Sequence, residues 1–394
     1  MKKRIIIYLS MSPEDGGKFQ YSISLLGDLS VLQNEATEIT ALFFSDHWQD
    51  YINKFSIHGE KISNKESLLY SKLRTLIYGK LLLLKLWRVF NRYCSKKYRK
   101  MKTLNPELVF YPGNDSLAYE FDLPSVVPIF DLMHRYENFP EVKEYSIYES
   151  RERHYKNLCK YAKEILVDSE LGKKHVIDCY DVVEKKITVY PYQPPYYVYD
   201  YYEIDVIKKY NLPADYFFYP AQFWEHKNHR VIIEAVKLLK GKGEIINFVF
   251  VGGRKNGYEK VVELINNYGL QNHIIILGYV TNDELVSLYK RAKALVFPSL
   301  FGPTNIPPLE ALALNCPVIV SDVYSHRDQL EDKVIYFNPR NAMELADKLI
   351  IFNENYYFIK NKKYSVIKNN LDHADKNNAL KKILVNNCRI ITVN

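Results

Sequence analysis

The sequence predicts an α/β architecture in two halves, each built on its own parallel sheet, and three observations carry that prediction. Residues 294–322 read in succession as strand, loop, helix and strand, the repeating unit of a parallel sheet. From residue 216 onward, short apolar runs alternate regularly with amphipathic stretches. Between the halves lies Pro191-Tyr192-Gln193-Pro194-Pro195-Tyr196-Tyr197, rich in proline and tyrosine and without apolar periodicity, which reads as a linker. A chain of 394 residues is long enough for two separate cores.

Composition sets the outer bounds. The formal net charge is +8, and five cysteines (Cys94, Cys159, Cys179, Cys316, Cys388) are scattered without a CxxC pair. That usage argues for a reducing, cytoplasmic setting and against a disulfide framework or a zinc site. The opening Met-Lys-Lys-Arg-Ile-Ile-Ile-Tyr-Leu has the charge of a signal peptide. Ser10, Pro13, Glu14 and Asp15 cut its apolar run short, so it reads as a first buried strand. No run approaches the length of a membrane span.

In the first half, strands are expected at Ile5–Leu9, Thr37–Phe44, Leu108–Tyr111, Val126–Phe130, Ile165–Asp168 and Ile187–Tyr190. Gly16 and Gly17 lie between the first strand and a helix from about Phe19. Adjacent glycines there allow close approach to a phosphate, or simply a tight turn. They do not form the GxGxxG dinucleotide fingerprint. From Ser67 to Pro106 the chain has no acidic residue but eleven lysines and arginines, interleaved with Leu76, Leu83, Leu84, Trp87 and Phe90. Such a segment suits amphipathic helices lying on an anionic membrane surface, or helices packed on a core with a solvated basic face. Nucleic acid is not expected as a partner, because no binding motif accompanies the charge.

In the second half, Tyr216–Tyr219, Ile246–Val251, Ile274–Leu277, Ala294–Phe297 and Val318–Val320 read as strands. Val231, Ile232, Ala235, Leu238 and Leu239 mark the helix after the first of them, closed by Gly241. Thr281 to Glu284 forms a capping box. Right-handed crossovers then place the loops after all these strands along one sheet edge, so Lys227, Gly253, Tyr279, Thr304 and Glu310 can converge. The loop from Ser299 to Asn305 leads into a helix with Pro307 and Pro308 in its first turn. The N–H groups of Thr304, Asn305 and Ile306 lack helical acceptors there and can face an anion, with Glu310 one turn on to meet a diol. An anion beside a diol describes a nucleotide. An ordinary helix start with a solvated glutamate gives the same pattern.

The segment Phe301-Gly302-Pro303-Thr304-Asn305-Ile306-Pro307-Pro308-Leu309-Glu310-Ala311 resembles the signature of family 4 retaining glycosyltransferases of the GT-B fold. In that family two glutamates eight positions apart bracket the loop. The second maps onto Glu310, implying a ribose contact; the first maps onto Gly302, so a carboxylate is missing. The resemblance implies that the amides of Thr304, Asn305 and Ile306 hold the donor diphosphate and sugar. Residues 223–229 are similar to the family's loop ending in Lys-Asn, which makes Lys227 the residue that neutralises the diphosphate. The usual arginine five positions earlier is Gln222. Gly278-Tyr279-Val280 resembles the loop whose backbone meets the base, and Gly253, Gly16 and Gly17 complete the implied donor set. The family's His-Asp pair falls at Phe130-Asp131, so His134, a few positions on, is expected to serve as the histidine beside Asp131.

The resemblance therefore implies two Rossmann-like domains facing a central cleft. Residues 1–190 would form the acceptor side, 191–202 the linker, 203–375 the nucleotide-sugar domain and 376–394 a helix crossing back. The implied activity is a retaining, metal-independent transfer of a hexosyl unit from a nucleoside-diphosphate sugar to a glycan or lipid-linked acceptor, without a cofactor. Bacterial surface polysaccharide synthesis, in the cytoplasm at the inner face of the membrane, fits such a protein. Two alternatives stay open: a non-catalytic nucleotide- or glycan-binding protein, favoured by Gly302 and Gln222, and a sugar-nucleotide epimerase or phosphorylase of similar fold.

Overall fold

The computed structural model describes residues 2–80, 83–356 and 373–388. The chain divides into two compact units: Met1–Leu132, Glu149–Pro191 and Asp372–Asn394 form the first, and Met133–Tyr148 with Tyr192–Leu371 the second. The sequence boundary at residues 190 and 191 thus meets a fold in which an earlier stretch, Met133–Tyr148, packs with the later half. Residues 357–372 of the expected nucleotide-sugar domain and 389–394 of the expected closing helix lie outside the described residues.

The first unit is a seven-stranded sheet made of β1 (Lys3–Leu9), β2 (Thr37–Phe43), β3 (His58–Lys61), β4 (Leu108–Phe110), β5 (Ser125–Pro128), β6 (Glu164–Val167) and β7 (Ile187–Val189). Its order is β3-β2-β1-β4-β5-β6-β7, and every pairing is parallel. Ile5 to Leu9 are all buried, as expected of a central parallel strand covered on both faces. The helix His373–Asn387 packs in this unit against the helix Gly17–Ser30 and β7. Leu380 and Ile383 are buried, and Asn387 Nδ2 donates to Glu164 Oε2 at 3.2 Å.

The basic segment 67–106 is helical over Leu68–Arg74, Leu84–Cys94 and Lys96–Thr103. Its tryptophan does not face outward. Trp87 is fully buried with Leu84, stacks on Phe90 at 5.2 Å and donates its indole N–H to Glu120 Oε2 at 2.7 Å. A buried indole needs an acceptor, and the buried Glu120, also paired with Arg74, supplies one. The outward apolar residues are instead Leu68, Leu69, Leu76, Leu83, Leu86, Val89 and Tyr93.

The second unit is a six-stranded sheet: β8 (Phe217–Pro220), β9 (Phe248–Val251), β10 (Ile274–Gly278), β11 (Leu295–Phe297), β12 (Val318–Ser321) and β13 (Ile335–Phe337). Its order is β10-β9-β8-β11-β12-β13, again all parallel. The chain runs outward from β8 to β10 and returns to start the other half at β11. The sheet therefore has a topological switch point between β8 and β11, where loops diverge and leave a crevice. The segment read as a linker is partly core: Tyr197 and Val198 are buried against Val286. Among the described residues, no helix is long and apolar enough to cross a membrane.

Candidate functional site

The two loops that flank the switch point carry the residues of interest. After β8 the chain runs through Gln222 and Trp224 into a short turn, Glu225–Lys227, and Asn228 adopts a left-handed conformation (φ 56°) before the helix His229–Gly241. After β11 it passes Ser299 and Gly302 (φ 131°) and enters the helix Ile306–Ala313, with Asn305 as its N-cap. The loops are bonded to each other. Leu300 N–H donates to the His226 carbonyl at 2.8 Å, and Asn228 Nδ2 donates to the Pro298 carbonyl at 3.2 Å. Lys227 Nζ consequently lies 3.4 Å from Asn305 Oδ1 and 5.4 Å from the centre of the Phe297 ring. Lys227 and the Thr304–Ile306 turn, 78 positions apart at Lys227 and Asn305, are thus brought together.

The three amides do not form one unoccupied row. Asn305 N–H donates to Gln329 Oε1 at 3.0 Å, because the helix His326–Leu330 that follows β12 reaches the loop. Thr304 and Asn305 are both buried. Glu310 is buried as well, and its carboxylate accepts from the hydroxyls of Tyr197 and, at 2.6 Å, Tyr289. Burial raises its pKa, against the two tyrosine hydrogen bonds that lower it. The same burial pushes both tyrosine hydroxyls well above their ordinary range. Glu310 is therefore clamped between hydroxyls, not held out to solvent as an open helix-start glutamate would be.

Neighbouring loops join the same edge. Phe223 N–H donates to the Gly253 carbonyl at 3.1 Å, and Gly252 N–H to the Gly278 carbonyl at 2.8 Å. Gln222 Oε1 accepts from the Trp224 indole at 3.0 Å. Tyr279 is exposed, whereas Val280 belongs to the core. The segment Met133–Tyr148 is seated on this edge: Met133 and Val142 pack with Phe301 and Tyr324, the Tyr324 hydroxyl donates to Glu137, and Glu141 pairs with His226. His134 is buried there, edge-on to the Tyr148 ring at 5.5 Å. Asp131 falls in the first unit and is paired with Arg151. Gly16 and Gly17 also belong to the first unit, at the start of the helix Gly17–Ser30, with Gly16 at φ 59°.

Sequence reasoning missed His326, Gln329, Tyr197 and Tyr289. The one signal for His326 is its place just beyond the carboxyl end of β12, on the edge where ligands of open α/β sheets bind. Tyr197 left no local signal, because its partner lies 113 positions away. Among the described residues, no group of three His, Cys, Asp or Glu could hold a metal ion.

Comparison with known proteins adds the chemistry. Residues 200–372 match the family model of glycosyl transferases group 1. The O-antigen chain mannosyltransferase RfbU of Salmonella typhimurium is 26% identical over 369 residues, covering 89% of this chain and 94% of RfbU. A solved glycosyltransferase from Rickettsia africae superposes with a TM-score of 0.66 at 17% identity, covering 100% of both chains. Anabaena HepE, solved in complex with UDP and glucose, gives 0.67 at 13% identity, covering 98% of this chain and 100% of HepE. At such identities the two structural likenesses speak to fold, and they agree with two parallel-sheet, Rossmann-like domains of the GT-B class.

Proposed function

We propose that this chain, whose residues 200–372 match the family model of group 1 glycosyl transferases, transfers a sugar from a nucleoside-diphosphate sugar to a glycan or lipid-linked acceptor in the synthesis of a bacterial surface polysaccharide. The observation that carries the reading is the meeting of Lys227 and Asn305 at the switch point of the second sheet. Open α/β sheets bind ligands there, and a fixed ammonium beside a helix start suits a diphosphate.

The chemistry follows from where charge develops. Breaking the bond between sugar and diphosphate leaves negative charge on the leaving phosphate, and a preorganised cation at that point stabilises the transition state more than the ground state. Lys227 supplies the cation, with the turn at Thr304 and Ile306 beside it. Glu310 meets the ribose through the lone pairs that Tyr197 and Tyr289 leave unused, and the tyrosines fix its orientation. Gly278, Tyr279 and Val280 meet the base, while Gln222, Gly253, Gly16 and Gly17 are further donor contacts. Asp131 and His134 act on the acceptor side of the reacting sugar. The transfer retains configuration by attack on the face the diphosphate leaves, without a covalent nucleophile, cofactor or divalent cation. The protein works in the cytoplasm, peripheral to the inner face of the membrane; the outward row of leucines in the basic segment supports the contact with a membrane surface.

The test is thermal stabilisation of the intact chain by GDP, UDP and their sugar conjugates, since a ligand of the native state raises its stability by mass action. One base is expected to give a shift, and the matching sugar nucleotide to be consumed only when acceptor is supplied. Lys227→Ala should lower turnover about 10²–10³-fold, the range for loss of one charge-stabilising group. Consumption without acceptor would favour the epimerase or phosphorylase reading. Stabilisation by no nucleotide would favour a non-catalytic binding protein.

A further inference from the structure

Behind the Lys227–Asn305 contact runs a chain of polar contacts that the transfer reading leaves unused. His326 is completely buried, and its Nδ1 stands 2.7 Å from the carbonyl oxygen of Ser321. A carbonyl only accepts, so Nδ1 carries the ring proton. Burial, reinforced by the Lys227 charge and opposed by the Ser321 carbonyl, pulls the pKa of His326 down to about 4, so the ring is neutral near pH 7. Nε2 is then an acceptor, and it takes the amide proton of Asn305 Nδ2 at 2.8 Å. With its nitrogen committed, the Asn305 amide turns Oδ1 towards Lys227 Nζ. Gln329 holds the backbone of the same residue from both sides: its Oε1 accepts from Asn305 N–H, and its Nε2 donates to the Asn305 carbonyl at 2.9 Å.

Gly302 makes this arrangement sterically feasible. A Cβ at residue 302 would stand 2.5 Å from Asn305 Nδ2 and 3.0 Å from Oδ1. The amide therefore fills the space in which a side chain at 302 would begin. A carboxylate near Lys227 would orient the ammonium but also cancel its charge. A neutral amide oxygen orients it and brings no opposing charge of its own.

We propose that Asn305 and His326 are positioning residues that aim the Lys227 ammonium at the donor diphosphate, the Asn305 amide occupying the space that a carboxylate-bearing side chain at 302 would need. The inference rests on the nucleotide-sugar reading of Lys227. Neither side chain touches the reacting atoms; His326 fixes the amide, and the amide restrains the end of the flexible lysine stem.

A double-mutant cycle on nucleotide binding tests it. The intact chain is titrated with GDP and with UDP, in native form and as Lys227→Ala, Asn305→Ala, His326→Ala and the two pairs with Lys227→Ala. Asn305→Ala or His326→Ala alone should weaken binding about tenfold, the loss of one hydrogen bond to a charged group. In the Lys227→Ala background, either should change binding less than about twofold, because residues that act through a third are not additive with it. Asn305→Asp keeps the side-chain shape if the alanine variants unfold. It should weaken binding more when Lys227 is present, where the new carboxylate pairs with the ammonium, than in Lys227→Ala, where only its repulsion of the diphosphate remains. Equal losses with and without Lys227, or no loss at all, would overturn the positioning role. If Lys227→Ala weakens binding while Asn305 and His326 prove independent, the inference fails and the transfer reading stands. Failure of the native chain to bind either nucleotide would overturn both.

Discussion

Gly302 is held at φ 131°, a backbone region that side-chain-bearing residues rarely adopt, and the Asn305 amide sits on the side where its Cβ would be. Two independent constraints, backbone and space, therefore keep this position without a side chain. Gly302→Ala should lower stability by about 1–3 kcal/mol from the backbone alone, with the contact to Asn305 adding to it. Thermal denaturation of the variant reads this directly, and a melting temperature equal to the native one would show that the loop relaxes freely. The same residues show what a sequence discloses and what it hides. Lys227 and Glu310 could be singled out as candidates because each lies in a short stretch whose order of prolines, turns and polar groups is itself the signal. The groups that set their states were not. His326 acts on Asn305 from 21 positions away and Tyr197 on Glu310 from 113, and nothing within either stretch encodes its partner.

At the scale of elements, one carboxylate of the helix Ile306–Ala313 joins it to two neighbouring elements. Tyr289 comes from the helix Asn282–Arg291 and Tyr197 from the stretch leading into the second unit, and both hydroxyls end on Glu310. Removing the acceptor would strand the buried Tyr197 hydroxyl, at about 1–3 kcal/mol, and leave Tyr289 with the Pro307 carbonyl at 3.4 Å. Glu310→Ala should therefore destabilise the protein markedly, whereas Glu310→Gln keeps the shape and a hydrogen-bonding partner for each hydroxyl and should melt near the native temperature. If both variants melted alike, the clamp would hold nothing together. The glutamine variant is then the proper probe of ribose binding, since a loss of nucleotide affinity in the alanine variant would be confounded with unfolding. Most strands were visible as apolar runs, because parallel strands buried on both faces have no polar face to alternate with. β3, His58-Gly59-Glu60-Lys61, was missed for the complementary reason: it is an edge strand with polar side chains, defined by its pairing with β2 alone. The helix Leu84–Cys94 was legible as amphipathic, yet periodicity names an apolar face without saying what covers it. Here Leu84 and Trp87 face protein.

For the whole molecule, the +8 charge is unevenly spread, and the stretch without acidic residues coincides with the outward apolar row. Several of its cations are used within the fold: Arg74 pairs with Glu120, Arg88 and Arg92 with Asp122, and Lys97 with Glu66. Lys72, Lys85 and Lys96 remain exposed beside Leu69, Leu76, Leu86, Val89 and Tyr93. Leu86, Val89 and Tyr93 follow helical spacing on Leu84–Cys94, so they share one stripe. An apolar stripe flanked by lysines is suited to the boundary of an anionic bilayer, where leucines enter the acyl region and ammonium groups meet phosphates. The expected result is that the intact chain sediments with vesicles containing phosphatidylglycerol at low ionic strength and is released as salt approaches about 0.5 M, where exposed charges are screened within a few ångströms. It should not sediment with purely zwitterionic vesicles. Leu86→Ser combined with Lys85→Glu should abolish sedimentation without altering nucleotide binding, because neither residue belongs to the Lys227 site. Equal sedimentation with charged and neutral vesicles would leave the lysines without a role. No sedimentation at all would mean that the stripe is covered by something other than lipid, and the acceptor would then have to reach the enzyme from solution.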